Sequence, residues 1–288
     1  MVWNKLKAYG EVVMFRHTLF SLPFAFMGAF MAAGGWPPFN NLFWILVAMA
    51  GARNAANALN RLIDWKIDAK NPRTASRHLP RGKVKPVEIL VLSIVGLTLL
   101  IVSAFQLNEL CVKLLPLAVI ILAGYSYTKR FTWACHLVLG LAVGLAPLGA
   151  WIAVTGEMAL PPFILTMVVT LWVAGFDIIY ATQDVDFDRK EKIHAIPARF
   201  GISAALTIAK AFHLVTIILL ALLPLFFPFG YIYFLGVFVA AGLLLYEHKI
   251  VSPDNLARVK IASYHINELI GITVLFFTMI DLFFITNI

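Results

Sequence analysis

Runs of about twenty nearly uninterrupted apolar residues recur along the whole chain, and they limit its fold more than any other feature. A helix rising 1.5 Å per residue needs roughly 20 such residues to cross a hydrocarbon core about 30 Å thick. The runs lie near 18–36, 42–62, 87–106, 110–126, 133–155, 162–182, 203–226, 229–247 and 265–286. They predict an all-α membrane protein of about nine transmembrane helices. The runs are continuous rather than alternating, which argues against a membrane β-barrel. Of 288 residues, 61% are hydrophobic and 13% charged, where soluble domains carry roughly 25% charge. A water-soluble globule of this length has too little interior for so much apolar surface. Cys111 and Cys135 sit in apolar surroundings and offer neither a disulfide framework nor metal-ligand spacing.

Charge sets the expected orientation. Lys5, Lys7 and Arg16 precede the first span, and seven Lys and Arg from Lys66 to Lys85 follow the second. Lys129 and Arg130 follow the fourth; Arg189, Lys190, Lys192 and Arg199 the sixth; Lys249, Arg258 and Lys260 the eighth. The intervening loops hold almost none. The positive-inside rule then puts the N-terminus and these segments in the cytoplasm and, with nine spans, the C-terminus outside. The net charge of +8 is accounted for by topology, so no nucleic-acid partner is expected. One domain over residues 1–288, multi-pass in a prokaryotic cytoplasmic membrane and surrounded by lipid, is the expected organisation.

The acidic residues are the anomaly. Asn60, Asp64 and Asp68 end the second span, and Asp177, Asp184 and Asp188 end the sixth. On a helix, residues four apart share a face, so each set reads as a polar stripe. Like charges at that spacing cost roughly 0.2–0.5 kcal/mol, and more near lipid. A divalent cation offsets this: Mg²⁺ takes one or two carboxylates and binds substrate phosphates. Asp64 to Asp184 and Asp68 to Asp188 are each 120 residues apart, which hints at two related halves. A solvated acidic rim explains one such pair readily and two matching pairs poorly. Arg73, Arg77 and Lys129 stand on the same expected side, where guanidinium forks suit phosphate oxygens. Arg53 lies inside the second span and requires a partner, either an internal carboxylate such as Asp177 or an anionic substrate group.

At these residues the chain resembles the UbiA family of intramembrane aromatic prenyltransferases. The family's N-x-x-x-D-x-x-x-D stands here as Asn60, Asp64 and Asp68, and its D-x-x-Y-A-x-x-D-x-x-x-D as Asp177, Tyr180, Asp184 and Asp188. The likeness extends to Arg16, Arg53, Arg73-Thr-Ala-Ser-Arg77 and Tyr127-Thr-Lys129-Arg130. It implies nine helices around a central cavity open to the cytoplasmic side, Mg²⁺, and transfer of a polyprenyl group from polyprenyl diphosphate to an aromatic carboxylate. It implies that Asn60, Asp64, Asp68, Asp184 and Asp188 bind the Mg²⁺-diphosphate and that Arg16, Arg73, Arg77 and Lys129 contact phosphate. Arg53 would hold the acceptor carboxylate and Asp177 would line the acceptor site. The ring proton would leave to Asp177 or to the released diphosphate.

Two departures bear on the acceptor. Arg61 stands where many relatives have Asp, and Ile193-His194-Ala195 replaces a common Lys-Ser-Thr. The favoured acceptor is 4-hydroxybenzoate, in quinone biosynthesis; the alternative is 1,4-dihydroxy-6-naphthoate in a menaquinone route. Both carry a carboxylate, so Arg53 does not separate them. A rival from another class is an ion- or proton-coupled transporter. It would place its charges near the bilayer midplane, whereas these aspartates end their spans. A CDP-alcohol-type phosphotransferase would need a D-G-x-x-A-R element, which the chain lacks.

Overall fold

The computed structural model describes residues 9–12 and 22–284. Eight described helices are long and apolar enough to cross a membrane. They are α2 (Phe39–Ile63), α4 (Pro86–Leu107), α5 (Glu109–Thr128), α6 (Cys135–Thr155), α7 (Leu160–Ala181), α10 (Ile202–Leu222), α11 (Tyr231–Ile250) and α12 (Asn267–Phe284), with short 3₁₀ or π turns extending α7, α10 and α12. The first expected span is described from Leu22, as the shorter apolar helix α1 (Leu22–Ala33). Short helices α3 (Trp65–Lys70), α8 (Val185–Lys190) and α9 (Ile196–Phe200) lie between them. The chain is an integral, multi-pass, all-helical membrane protein.

The helices fall into two compact units. One comprises Met1–Leu19 and Phe39–Tyr127, the other Phe20–Pro38 and Thr128–Ile288. In the first, α2 packs on α4 through facing glycines. A Cβ on Gly51 would lie 2.6 Å from the Gly96 carbonyl oxygen, and one on Gly96 would lie 2.7 Å from that of Gly51. Apolar side chains gain nothing over lipid tails by meeting each other, so close backbone approach at small residues drives the pairing. The C-terminal end of α5 is tied to α2, where the Tyr125 hydroxyl donates to the Ala56 carbonyl at 3.3 Å.

In the second unit α7 is the central rod: 61% of its span is buried, against 28% for α2 and for α4. Trp172, Val168 and Leu165 of α7 form a core with Phe24, Leu220, Tyr233 and Val274. Gly140 and Gly144 of α6 lie against the α7 backbone, so close that a Cβ on Gly144 would meet the Thr166 carbonyl at 2.7 Å. Polar atoms inside the unit are used for structure. Asp281, fully buried on α12, accepts the Gly230 and Tyr233 backbone N–H groups at 2.6 and 3.1 Å and so caps the start of α11.

Candidate functional site

The first motif is built at a break in α2. The helix stops at Ile63, Asp64 takes φ −91° and ψ 1°, and the six-residue α3 follows. Hydrogen bonding continues through the break: the Asp64 N–H donates to the Asn60 carbonyl at 2.9 Å and the Asp68 N–H to the Asp64 carbonyl at 2.7 Å. The expected stripe is therefore kept in hydrogen-bond register while the rod itself is interrupted. Asp64 and Asp68 are both buried, at 2% and 5% exposure.

Each side chain in this unit has a defined setting. The Asn60 amide nitrogen donates to Asp64 Oδ2 at 2.9 Å and to Ser126 Oγ at 3.1 Å. Both amide hydrogens are thus directed within this unit. Residues 71–77 coil back in successive turns, and Thr74 Oγ1 donates to the Asp68 carbonyl at 3.0 Å. Those turns deliver Arg77, whose guanidinium donates to Asp68 Oδ2 at 2.6 Å, with Arg61 on the same oxygen at 4.0 Å. Arg73 sits inside the turns, its backbone N–H on Asn71 Oδ1 at 2.9 Å. Arg53 lies two turns before Asn60 within α2. Arg16 lies outside the described residues.

The second motif repeats this local plan. After α7, a 3₁₀ turn (Thr182–Asp184) brings Asp184 to φ −109° and ψ 6°, and the six-residue α8 follows. Asp188 is the fourth residue of α8, as Asp68 is of α3, and it too is buried, at 9% exposure. The helix then ends in a tight turn. Lys192 adopts φ 55°, the Ile193 N–H returns to the Asp188 carbonyl at 2.8 Å and the Lys192 N–H to the Arg189 carbonyl at 3.4 Å. This is a Schellman cap with lysine in the place where glycine is usual. The strap beyond it is pinned three times. The His194 N–H donates to the Lys129 carbonyl at 2.7 Å, the Cys135 thiol to the His194 carbonyl at 3.3 Å, and the Ile196 N–H to His136 Nε2 at 3.3 Å.

Asp177 finds its partner within its own unit: His136 Nδ1 lies 2.7 Å from its Oδ2. The sequence reading missed His136, Ser126 and the Arg61 contact. A histidine in the first turn of an otherwise apolar span was the available signal for the first of these.

No group of three His, Cys, Asp or Glu side chains forms a ready cation cage among the described residues. The donors of the two motifs are carboxylate and amide oxygens, the hard set that Mg²⁺ prefers, and Mg²⁺ is ordinarily completed by substrate phosphate and water rather than by an all-protein cage. The donor set thus fits Mg²⁺ in its substrate-bound form.

Comparison with known proteins follows the same lines. The UbiA prenyltransferase family pattern matches residues 21–269. A 4-hydroxybenzoate octaprenyltransferase of Vibrio campbellii is 31% identical over 256 residues, covering 86% of this chain and 88% of that protein. The apo structure of a UbiA homolog from Aeropyrum pernix K1 is 32% identical and superposes with a TM-score of 0.84 over 92% of this chain and 98% of its own. A UbiA homolog from Archaeoglobus fulgidus, solved with GPP and Mg²⁺, shares the fold at 22% identity and a TM-score of 0.64, over 93% and 99% of the two chains.

Proposed function

Since this chain belongs to the UbiA prenyltransferase family, we propose that it transfers a polyprenyl group from polyprenyl diphosphate to a ring carbon of 4-hydroxybenzoate, in quinone biosynthesis. One observation carries the reading furthest. Two motifs 120 residues apart share a long apolar helix, an Asp at a break with ψ near zero, and a six-residue helix whose fourth residue is a buried Asp. A decorative acidic rim has no need of that repeated geometry.

In this reading Asn60, Asp64, Asp68, Asp184 and Asp188 bind the Mg²⁺-diphosphate. Bound Mg²⁺ supplies the positive charge that stabilises the departing diphosphate. Ser126 keeps the Asn60 amide oxygen turned toward the ligand. Arg16, Arg73, Arg77 and Lys129 contact phosphate oxygens and add fixed positive charge where negative charge develops. Arg77 spends one donor on Asp68 and retains others, since a guanidinium carries five N–H groups. Arg53 holds the acceptor carboxylate and Asp177 lines the acceptor site. The allylic C–O bond ionises, the ring carbon beside the hydroxyl attacks the resulting cation, and the proton on that carbon then leaves to Asp177 or to the released diphosphate, restoring the aromatic ring. A lipid-embedded setting keeps water from that cation.

The family pattern covers parts of both compact units, which supports reading residues 1–288 as one catalytic domain. The basic segments support an N-terminus and active site on the cytoplasmic side and a C-terminus outside, in a bacterial inner membrane.

The test offers membranes containing the protein a polyprenyl diphosphate with either 4-hydroxybenzoate or 1,4-dihydroxy-6-naphthoate and identifies products by mass. Prenylated 4-hydroxybenzoate is expected. Exclusive prenylation of the naphthoate would move the chain to the menaquinone route, and no product with either would remove the proposed activity.

A further inference from the structure

We propose that His136 is a positioning residue: it anchors one oxygen of Asp177 so that the other is presented to the acceptor hydroxyl. This rests on the reading of Asp177 as an acceptor-site residue. The Ile196 N–H donates to His136 Nε2 at 3.3 Å. A ring nitrogen that accepts carries no proton, so the neutral ring is protonated at Nδ1 and donates to Asp177 Oδ2 at 2.7 Å. A backbone amide can neither take up nor pass on a proton here. The ring is closed at its far side, and His136 holds Asp177 without relaying protons through it.

Burial gives the pair a direction. The His136 side chain is 4% exposed and that of Asp177 is 26% exposed. Asp177 Oδ2 is engaged from the protein side, while Oδ1 makes no hydrogen bond with a described residue. An ionised carboxylate oxygen accepts only, so Oδ1 selects a donor, and the phenolic hydroxyl is the donor that the acceptor owns. A hydrogen bond from that hydroxyl raises electron density at the neighbouring ring carbon, which is the carbon to be prenylated. The strap from Ile193 to Ile196, which begins at the cap on Asp188, ends on the same imidazole. His136 therefore ties the orientation of Asp177 to the strap that follows Asp188.

Two near-isosteric substitutions separate this role from a merely structural one. An asparagine amide nitrogen falls near the place of Nδ1 and keeps a donor for Asp177 while losing the acceptor for Ile196. A glutamine amide reaches the place of Nε2 and does the reverse. The assay is steady-state kinetics on the purified full chain, varying 4-hydroxybenzoate at saturating polyprenyl diphosphate and then the converse. His136→Gln should raise the KM for 4-hydroxybenzoate about tenfold, the worth of one charge-assisted hydrogen bond, with the diphosphate KM within about twofold. His136→Asn should stay within about threefold on both. The opposite order, or equal effects of both variants, overturns the proposal and leaves His136 as a clamp for the strap. Asp177→Asn separates the two layers of argument. If it leaves the acceptor KM unchanged, the acceptor-site reading of Asp177 fails. If it impairs while His136→Gln does not, the inference about His136 alone fails. Should a His136 variant not fold, ¹⁵N-histidine spectra of the unsubstituted protein decide. A neutral ring protonated at Nδ1 is expected, and a proton at Nε2, alone or together with one at Nδ1, overturns the assignment.

Discussion

Removing Arg77 tests how the first motif holds a carboxylate in a buried position. Its guanidinium lies 2.6 Å from Asp68 Oδ2, and Asp68 is 5% exposed. A hydrogen bond to a charged group contributes about 1.5–3 kcal/mol. The Arg77 side chain is 29% exposed, and Arg61 remains at 4.0 Å from the same oxygen. Solvent screening and this second cation reduce the loss to about 1–2 kcal/mol for Arg77→Ala. A chain of this size shifts its midpoint by roughly 2–4 °C per kcal/mol, so a fall of about 2–8 °C is expected. Cys111 and Cys135 are free and partly buried, so a thiol-reactive fluorophore on the detergent-purified protein reports unfolding. If Arg77 acts through Asp68, then Arg77→Ala added to Asp68→Asn should cost much less than it costs alone. A midpoint unchanged by Arg77→Ala, or full additivity in the double variant, would show that Arg77 does not hold Asp68 in place.

Asp64→Ala and Asp188→Ala should each abolish prenyl transfer while the protein still reaches the membrane, as judged by immunoblot of the membrane fraction; appreciable turnover in either removes that carboxylate from the site. Chelation by EDTA should stop turnover, and added Mg²⁺ should restore it, in a direct product assay. Arg53→Ala should raise the KM of the carboxylated acceptor at least tenfold, about 1.4 kcal/mol, and change the diphosphate KM little; the reverse pattern assigns Arg53 to phosphate. Lys192→Gly should raise the thermal midpoint, because a left-handed residue with a side chain costs roughly 1–2 kcal/mol, of which glycine's greater freedom in the unfolded chain returns about half.

The membrane spans were legible because twenty apolar residues in a row leave few other folds. The aspartate motifs were legible because their spacing is regular and their residue type is costly near lipid. The helix breaks at Asp64 and Asp184 were not. A four-residue spacing is satisfied by an unbroken helix and equally by one interrupted at its middle aspartate, since the Asn60–Asp64 and Asp64–Asp68 backbone bonds survive. Nor was the pairing of His136 with Asp177, which joins residues 41 apart in sequence. Helix spacing predicts neighbours on one helix, while contacts between helices depend on packing. That packing rests on small residues such as Gly51 and Gly96, whose role appears only when the facing backbone is known.

The contacts seen around the two motifs differ. Each keeps a buried aspartate in place one turn after a helix break. Around Asp68 the agent is side-chain charge: Arg77 and Arg61 converge on one carboxylate oxygen. Around Asp188 the main chain contributes: a Schellman turn closes on its carbonyl, and the strap that follows is pinned to Lys129, Cys135 and His136. An ion pair can be exchanged for a ligand, because a guanidinium is free to move from carboxylate to phosphate. A backbone cap cannot be exchanged in this way without unfolding the turn. In the reading proposed above, the Arg77–Asp68 ion pair would open for an incoming anion, whereas the turn that closes on the Asp188 carbonyl would hold.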